Sequence, residues 1–369
     1  MQSRNQIMKQ IMNAVIIKEK QKKRYRTLSV LIISCLCLGL STSSIYSEGI
    51  TIKAVGDMVP GTNFPNSSRL PKNGAYGLLK KAVPSLEGAD ILFGNYESTF
   101  TKYAKTRKNT KRRYVFAFRA PPSFAKGFKK AGFDILSIAN NHSLDFYKRG
   151  FLDTAANIEK AGMQHTGLKG DITYIERNNL TIAFIGFSYL PYHNSINDFK
   201  GAAVLIAEAN RNADIVVVSV HAGAEGSKAL HIKNENERFL GERRGNLVKF
   251  SRFAIDKGVD LVLGHGPHVP RAFNLYKGKF IAYSLGNFLG YRSFSITKYT
   301  GASLVLEVTL NNSGDFVSGK IHPMRLNSSG IPAADLKGRS IRLIRSLTKS
   351  DFPKAKLKIN ADGSIEIKN

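Results

Sequence analysis

The stretch Val259-Asp260-Leu261-Val262-Leu263-Gly264-His265-Gly266-Pro267-His268 joins a strand pattern to a turn that carries two histidines. The apolar run over 259–263 is short and rich in branched residues, which is typical of a buried strand. Neutral imidazole is the commonest metal ligand, and functional groups of α/β folds gather at the carboxyl ends of strands. A single histidine there is more often structural. Two in one turn, with others after further strands, favour a metal site.

Strand-like runs alternate with helical patterns from Gly49 to Gly301. Helical spacing of apolar residues predicts helices over 151–158 and 247–254, each ended by a glycine. This alternation predicts an α/β layered fold, and after Gly301 the pattern changes to strands alone. The predicted strands are Ile50–Val55, Ala89–Phe93, Asp134–Ala139, Thr181–Phe187, Asp214–Val220, Val259–Leu263, Lys279–Leu285, Ser303–Leu310, Phe316–Ile321 and Ile365–Ile367.

The composition indicates a basic globular protein with a substantial core. The hydrophobic fraction of the 369 residues is 43%, which allows one large domain or two smaller ones. The net charge of +28 points to a polyanionic polymer, a membrane face or nucleic acid as partner, although a solvated basic surface is the alternative. The two cysteines, Cys35 and Cys37, lie in an N-terminal apolar run. The rest of the chain therefore has no disulfide framework and no thiolate metal site.

The first part of the chain has the pattern of a targeting segment. A basic stretch over 1–26 precedes the apolar run Leu28–Leu40 and several small hydroxyl residues, which predicts an export signal. An uncleaved membrane anchor is a close second interpretation, and lipid attachment at Cys35 is a weaker third. All three place the folded part outside the cytoplasm, either membrane-anchored or periplasmic or secreted. The predicted organisation is a targeting segment or anchor over 1–48, a domain over 49–330, and a strand-rich extension over 331–369 packed on that domain.

Polar side chains follow five of the predicted strands. One such placement is commonplace, because polar residues often begin turns, but five at one edge of a sheet favour a metal-centred site. Imidazole, carboxylate and amide oxygen together suit Zn, Mn or Fe, and a pair of metals would suit phosphoryl transfer. The side chains are Asp57, Glu97, Asn140, Asn141, His142, Asp145, His221, Glu225, His265 and His268.

A cationic stretch from Thr101 to Ala120, here called the basic segment, begins just after Glu97. It contains no acidic residue, and aromatic residues are interleaved with its cations. Such a segment would hold a polyanion by charge, and polyglutamate, teichoic-type polymers, lipopolysaccharide and nucleic acid all fit. A mobile solvated loop is the simpler alternative. The candidate polyanion-binding residues are Lys105, Arg107, Lys108, Lys111, Arg112 and Arg113.

At these residues the chain resembles the CapA family of poly-γ-glutamate capsule synthesis proteins, within the calcineurin-like metallophosphoesterase superfamily. The resemblance runs from about Thr51 to Gly290 and implies a four-layer α/β/β/α sandwich with metals at the strand ends. The motifs that carry it are Gly56-Asp57, Asn95-Tyr96-Glu97, Asn140-Asn141-His142-Ser143-Leu144-Asp145, His221-Ala222-Gly223-Ala224-Glu225, Gly264-His265-Gly266-Pro267-His268 and Tyr283-Ser284-Leu285-Gly286-Asn287-Phe288.

The resemblance also implies roles for individual residues. His142 would be the catalytic acid or would hold the scissile phosphate. One or two divalent ions (Mn, Zn or Fe) would bind Asp57, Glu97, Asn141, His221, His265 and His268. Side chains behind these ligands would be Asn140, Asp145, Glu225 and Asn287. The superfamily pattern usually begins with Asp-x-His, and here no histidine follows Asp57 at that spacing. Glu225 could replace that missing ligand.

These observations predict an exported metal-dependent hydrolase that acts on or near an anionic surface polymer such as poly-γ-glutamate. Its expected partners are that polymer, a membrane contacted through the N-terminal segment, and a capsule synthesis complex. The alternative is a non-catalytic component that retains the polymer and hands it on, with a structural or vestigial metal site. Nucleic acid is the least favoured partner, because only charge supports it.

Overall fold

Two β-sheets pack face to face in the computed structural model, which describes residues 49–112 and 114–368. The helices are α1 (Gly74–Leu79), α2 (Val83–Leu86), α3 (Ala125–Lys130), α4 (Tyr147–Lys160), α5 (Phe199–Asn212), α6 (Leu247–Asp256) and α7 (Arg339–Asp351), with a 3₁₀ turn at Pro122–Phe124. The strands are β1 (Ile50–Val59), β2 (Ile91–Tyr96), β3 (Thr99–Phe100), β4 (Arg119–Ala120), β5 (Ile135–Ser137), β6 (Gln164–Thr166), β7 (Thr173–Arg177), β8 (Leu180–Ser188), β9 (Asn194–Ser195), β10 (Ile215–His221), β11 (Glu237–Phe239), β12 (Glu242–Gly245), β13 (Leu261–His265), β14 (Phe273–Tyr276), β15 (Lys279–Ala282), β16 (Asn287–Gly290), β17 (Ala302–Leu310), β18 (Phe316–Leu326), β19 (Pro332–Ala334), β20 (Leu357–Ile359) and β21 (Ser364–Ile367).

The two sheets differ in size, and both have parallel strands at the centre. The larger sheet has the order β20-β21-β18-β17-β1-β2-β5-β6, with β16 beside β1 and β19 beside β18. The smaller has the order β14-β15-β13-β10-β8-β7, with β9 beside β8. In each sheet the central strands run parallel, namely β1, β2 and β5 in one and β8, β10 and β13 in the other. The carboxyl ends of these strands are where functional groups gather in such folds.

Apolar residues fill three layers of core. Strand β1 is buried on both faces: Ile52 and Ala54 face the core between the sheets, and Val55 belongs to the outer core of the larger sheet. Helices α1, α3 and α4 cover that outer face, and α5 and α6 cover the outer face of the smaller sheet. The layers are therefore α/β/β/α, and the predicted sandwich is confirmed. Burial on both faces explains why the strands read as continuous apolar runs rather than as alternating ones.

Two glycines allow the chain to approach itself closely near the strand ends. A Cβ at Gly56 would lie 1.9 Å from the carbonyl oxygen of Gly286, and one at Gly264 would lie 2.2 Å from that of Tyr283. Backbone hydrogen bonds form at both places, from the Asp57 N–H to the Gly286 oxygen at 2.8 Å and from the Leu285 N–H to the Gly264 oxygen at 3.0 Å. The turn over 283–286 is thus bonded both to β1 in the larger sheet and to β13 in the smaller one.

The C-terminal part of the described chain contains a helix that we did not predict. Residues 339–351 form α7, whose apolar side chains join the core, whereas the sequence pattern was interpreted as a strand-rich extension over 331–369. Strands β19 and β21 pair with β18 of the larger sheet. The predicted boundary at 330 stays a prediction.

The predicted targeting segment over 1–48, with its candidate anchor and the lipid-attachment residue Cys35, lies outside the described residues. Within 49–112 and 114–368, no helix is both long enough and apolar enough to cross a membrane. Export and membrane attachment therefore stay predictions.

Candidate metal centre

Asp57 is fully buried where β1 ends, beside β2 and β16. Its carboxylate accepts hydrogen bonds from Asn95 Nδ2 at 2.7 Å and from the Gly266 N–H at 3.3 Å, and His268 Nδ1 lies 3.1 Å away. Burial would raise the pKa of Asp57, but the hydrogen bond and charge of His268 hold it well below its usual range. Asp57 is therefore ionised, and its hydrogen bonds hold the carboxylate in one orientation.

Glu97 lies directly after β2 and is also fully buried. Among the described residues, neither of its carboxylate oxygens has a hydrogen-bond partner. The imidazole nitrogens within 4.0 Å are His221 Nε2 at 3.7 Å and His268 Nε2 at 3.8 Å, too far for hydrogen bonds. Burial raises the pKa of this carboxyl group well above its usual range. A buried carboxyl group without partners is costly, and a cation would satisfy it.

Three imidazoles complete the cluster. His221 and His265 are adjacent in the parallel pair β10 and β13, and both are buried. In the described part of the chain, His221 Nε2 and both ring nitrogens of His265 lack hydrogen-bond partners. Burial lowers the pKa of His221 and lowers that of His265 to about 4. Both rings are therefore neutral at pH 7, which is the form that binds metals.

His268 behaves differently from the other two histidines. Burial alone would lower its pKa, but Glu97, Asp57 and Glu225 raise it to about 10. Its backbone has a φ of 59°, a left-handed conformation that non-glycine residues rarely adopt. Such strain persists only where surrounding structure enforces it, and it is concentrated at functional sites. Here it turns the ring so that Nδ1 lies 2.9 Å from Asn287 Oδ1 and Nε2 faces Glu97.

These side chains fit a divalent metal ion. Ligand atoms of Asp57, Glu97 and His268 all lie within 4.8 Å of one another. The buried oxygen Oδ1 of Asn141, on the turn that also carries His142, has no hydrogen-bond partner within the described ranges. A set of carboxylate, imidazole and amide oxygen is the one that Zn, Mn and Fe share. The structure thus brings the predicted ligands Asp57, Glu97, His221, His265 and His268 together, and their role as ligands stays a prediction.

A chain of amide side chains links three strand ends behind the cluster. Asn95 Nδ2 donates to Asp57, and Asn95 Oδ1 accepts from Asn140 Nδ2 at 3.2 Å. Asn140 Oδ1 in turn accepts the His142 N–H at 3.1 Å. Asn140 was predicted to lie behind the ligands, but Asn95 was quoted only as part of a motif. Strand alternation could have found it, because Asn95 and Glu97 are two residues apart and share a face.

His142 is held by two groups of opposite charge. Its Nδ1 lies 2.8 Å from Asp145 Oδ2 and 3.1 Å from Lys108 Nζ, and Lys108 Nζ lies 2.6 Å from Asp145 Oδ1. Burial lowers the pKa of His142, and Lys108 adds to this while Asp145 opposes it. Burial would raise the pKa of Asp145, but His142 and Lys108 lower it. The predicted placement of Asp145 behind an imidazole agrees with this geometry.

The basic segment contributes to this arrangement in a way the sequence did not predict. Lys108 was expected among the polyanion-binding cations, yet its side chain is only 23% exposed because it contacts Asp145 and His142. The Phe118 ring of the same segment lies 4.4 Å from the ring of His142. The other candidates are exposed, namely Lys105, Arg107, Lys111 and Arg112, whereas Arg113 lies outside the described residues.

Glu225 is fixed at the edge of the cluster by a buried arginine. Arg244 donates to Glu225 Oε1 at 2.7 Å and to Glu242 Oε2 at 2.9 Å, and its guanidinium lies over the ring of Tyr189. The other oxygen, Glu225 Oε2, lies 3.8 Å from His268 Nε2. This placement agrees with a supporting role for Glu225.

A buried histidine outside the predicted site also supports the His142 turn. Ser143 Oγ donates to the Asn140 carbonyl oxygen at 2.9 Å, so it accepts from His193 Nε2 at 2.8 Å. His193 Nδ1 then accepts from Ser188 Oγ at 2.8 Å, at the end of β8. The proton of the neutral ring is thereby assigned to Nε2. Isolated in the sequence, His193 carried no signal of this role.

Comparison with known proteins identifies relatives of the chain. Residues 51–292 match the family described as "Bacterial capsule synthesis protein PGA_cap". "PGA biosynthesis protein CapA" of Bacillus subtilis (strain 168) is 28% identical over 347 residues, which cover 88% of this chain and 86% of that protein. "Capsule biosynthesis protein CapA" of Bacillus anthracis is 26% identical over 347 residues, with coverages of 87% and 78%.

Among solved structures, a 5′-nucleotidase precursor from Thermus thermophilus aligns with 81% of this chain and 59% of its own. The sequence identity is 11% and the TM-score is 0.41. A similarity of this size carries no argument about activity.

Proposed function

The chain belongs to the PGA_cap family of bacterial capsule synthesis proteins, and from this premise we propose that it is a metal-dependent hydrolase acting on an anionic cell-surface polymer. The observation that carries the proposal is the group of buried ligand atoms without partners, above all the two oxygens of Glu97. Poly-γ-glutamate is the proposed polymer, since two relatives are named for PGA or capsule biosynthesis.

The proposed ion is divalent and is held by Asp57, Glu97 and His268, with His221, His265 and Asn141 as further ligands. When bound, such an ion supplies Lewis-acid chemistry that stabilises negative charge developing on a substrate oxygen. Asn95 and Asn287 orient ligands, because each makes a hydrogen bond to one of them.

His142 is the proposed general acid. Its Nδ1 is engaged by Asp145 and Lys108, so Nε2 is the ring nitrogen left to deliver a proton to the leaving group. Asp145 is itself fixed by the Phe118 N–H at 2.7 Å, which keeps the imidazole in one orientation. Positioned acids of this kind contribute roughly 10²–10⁴-fold to rate.

The polymer is proposed to reach His142 along the basic segment. A recess of about 430 Å³ is lined by Arg69, Arg112, Phe116 and Phe118. Phe116 stacks on Phe118 at 6.2 Å, and the Phe118 ring contacts His142, so one wall of the recess is separated from the proposed acid by a single side chain. Exposed cations beside it would attract carboxylates, with a strength that falls as salt rises.

The site of action is proposed to be outside the cytoplasm, with the protein secreted, periplasmic or attached to the membrane through its N-terminal segment. This part of the proposal rests on the sequence pattern of 1–48 alone.

Hydrolysis of a phosphodiester and of poly-γ-glutamate by purified protein supplied with Mn²⁺ or Zn²⁺ tests the proposal. We expect turnover that falls about 10²-fold or more in His142→Ala, because the proton donor is lost. His231→Ala is the matched control, since His231 is exposed and pairs with Asp351 away from the cluster. Absence of turnover of either substrate with either ion, while polymer binding persists, would contradict the hydrolase and support a carrier.

A further inference from the structure

A second recess lies away from the candidate metal centre. Its volume is about 520 Å³, which is within the size range of ligand sites. Five chain segments form it: α2 at Ser85, β18, residues 334–338 before α7, α7 itself and the turn between β20 and β21. None of its lining residues belongs to the candidate metal centre or to the basic segment. Its cationic lining residues are Lys320, Lys337, Arg342 and Arg345.

The acidic residues of the recess are already engaged by other donors. Asp335 is buried, and its oxygens accept the N–H groups of Lys337 at 3.2 Å and Arg339 at 3.0 Å. Asp362 Oδ1 accepts from the N–H and the hydroxyl of Ser364, at 3.1 and 2.8 Å. Within residues 49–112 and 114–368, neither acid forms an ion pair with a cation that lines the recess.

Helix α7 presents two different faces. Its apolar residues Ile341, Ile344 and Leu347 are buried, whereas its arginines Arg339, Arg342 and Arg345 are exposed. The helix has no acidic residue in its first turn, where positive side chains oppose the helix dipole. Helix stability therefore does not account for the arginines. Arg342 Nη1 donates to the Lys337 carbonyl oxygen, which fixes one guanidinium at the rim.

We propose that this recess binds a segment of a flexible carboxylate polymer. Cations from three chain segments around one concavity match a ligand that carries negative charge at every repeat. The choice of a carboxylate polymer rests on the proposed function, whereas the location of the recess does not.

A membrane fits this surface less well. Peripheral helices enter a bilayer with an apolar face, and the apolar face of α7 is used in the protein core. Leu336 is the fully exposed apolar residue beside the recess. A single leucine is a weak anchor, and a recess does not follow a flat surface.

Two separate cationic surfaces on one chain have a functional consequence. A polymer long enough to contact both the basic segment and this recess would bind more tightly than a short one, because the second contact is intramolecular. A short oligomer would contact only one of them at a time.

Binding of fluorescent poly-γ-glutamate to the full chain, measured by anisotropy at low and physiological salt, tests this inference. In the variant Lys320→Ala/Arg342→Ala/Arg345→Ala we expect the Kd for long polymer to rise about tenfold or more, and the Kd for short oligomers to change less. The matched control is Lys160→Ala/Lys200→Ala/Arg211→Ala, which removes the same charge from exposed helix positions. A second recess variant, Lys320→Gln/Arg345→Gln, removes the charges but keeps longer polar side chains than alanine, for use if the first unfolds.

Four results would overturn the inference. Equal weakening in the recess and control variants would mean that only overall charge matters. Unchanged polymer binding, with loss of binding to vesicles containing an anionic lipid, would make the recess a membrane contact. Polymer binding that depends on the basic segment alone would remove this site and leave the proposed function standing. If the wild-type chain binds no polymer, both this inference and the proposed function fail.

Discussion

Two buried charged regions of this protein are organised in opposite ways. Around Arg271, which is fully buried, every guanidinium nitrogen donates a hydrogen bond: Glu237 accepts two at 2.8 Å, and the carbonyl oxygens of Ala224 and Ala229 accept one each. Around Glu97, also fully buried, neither carboxylate oxygen has a partner in the part of the chain that the structure describes. Burial alone therefore does not mark a functional group. The absence of partners around Glu97 is what distinguishes the candidate metal centre.

The largest expected effect is on the free energy of unfolding, and it comes from removing Arg271 from its hydrogen-bonded surroundings. Arg271→Ala leaves Glu237, whose side chain is only 12% exposed, without its cationic partner and with the Ala224 N–H as its remaining donor. Removing one member of a buried ion pair costs about 3–5 kcal/mol. We expect a drop of that order in the free energy of unfolding, measured in urea. Lys277→Ala is the control, since Lys277 pairs with Asp256 at the surface, and it should change the midpoint little. If the two substitutions lowered the free energy of unfolding equally, the buried Arg271 pair would contribute no more to stability than a surface pair.

A smaller effect on stability is expected at His193, a buried imidazole whose two ring nitrogens both have hydrogen-bond partners. Burial lowers the pKa of His193 to about 4, below its value in an unfolded chain. As pH falls below about 6.5, His193 is protonated in the unfolded chain before it is protonated in the folded protein. Protonation therefore favours unfolding. The stability contributed by the neutral buried ring is present above about pH 6.5 and is lost as pH falls towards 4, on the order of 3 kcal/mol.

The variant His193→Gln isolates that contribution, because glutamine keeps hydrogen-bonding groups and does not titrate. We expect the variant to be less stable than wild type at pH 7, and the difference to shrink as pH falls from 6.5 towards 4. Urea unfolding at several pH values measures this. A difference that stays constant with pH would show that His193 does not titrate on unfolding.

Much of the fold and of the candidate metal centre could be predicted from the sequence. The strand runs and the polar residue after each one were visible, because parallel strands bring their carboxyl ends to one edge. The sandwich and the family resemblance are confirmed, and Asp57, Glu97, His221, His265 and His268 do converge.

Other features depended on contacts between distant parts of the chain. Lys108 reads as one cation among many, and only the folded basic segment places it on Asp145. His193 meets Ser143 across 50 residues, and no local pattern specifies that contact. Helix α7 was not predicted, although Ile341, Ile344 and Leu347 have the three-residue spacing of a buried helical face.

The central claim is that the unsatisfied groups around Glu97 form a divalent metal site, and titration of metal-free protein with Mn²⁺ or Zn²⁺ by calorimetry tests it most directly. The account predicts saturable binding of one or two ions to wild type and at least about tenfold weaker binding to Glu97→Gln. Glu237→Gln, at the satisfied region, should leave the affinity unchanged. Failure of wild type to bind either ion stoichiometrically, or equal affinity of wild type and Glu97→Gln, would contradict the account.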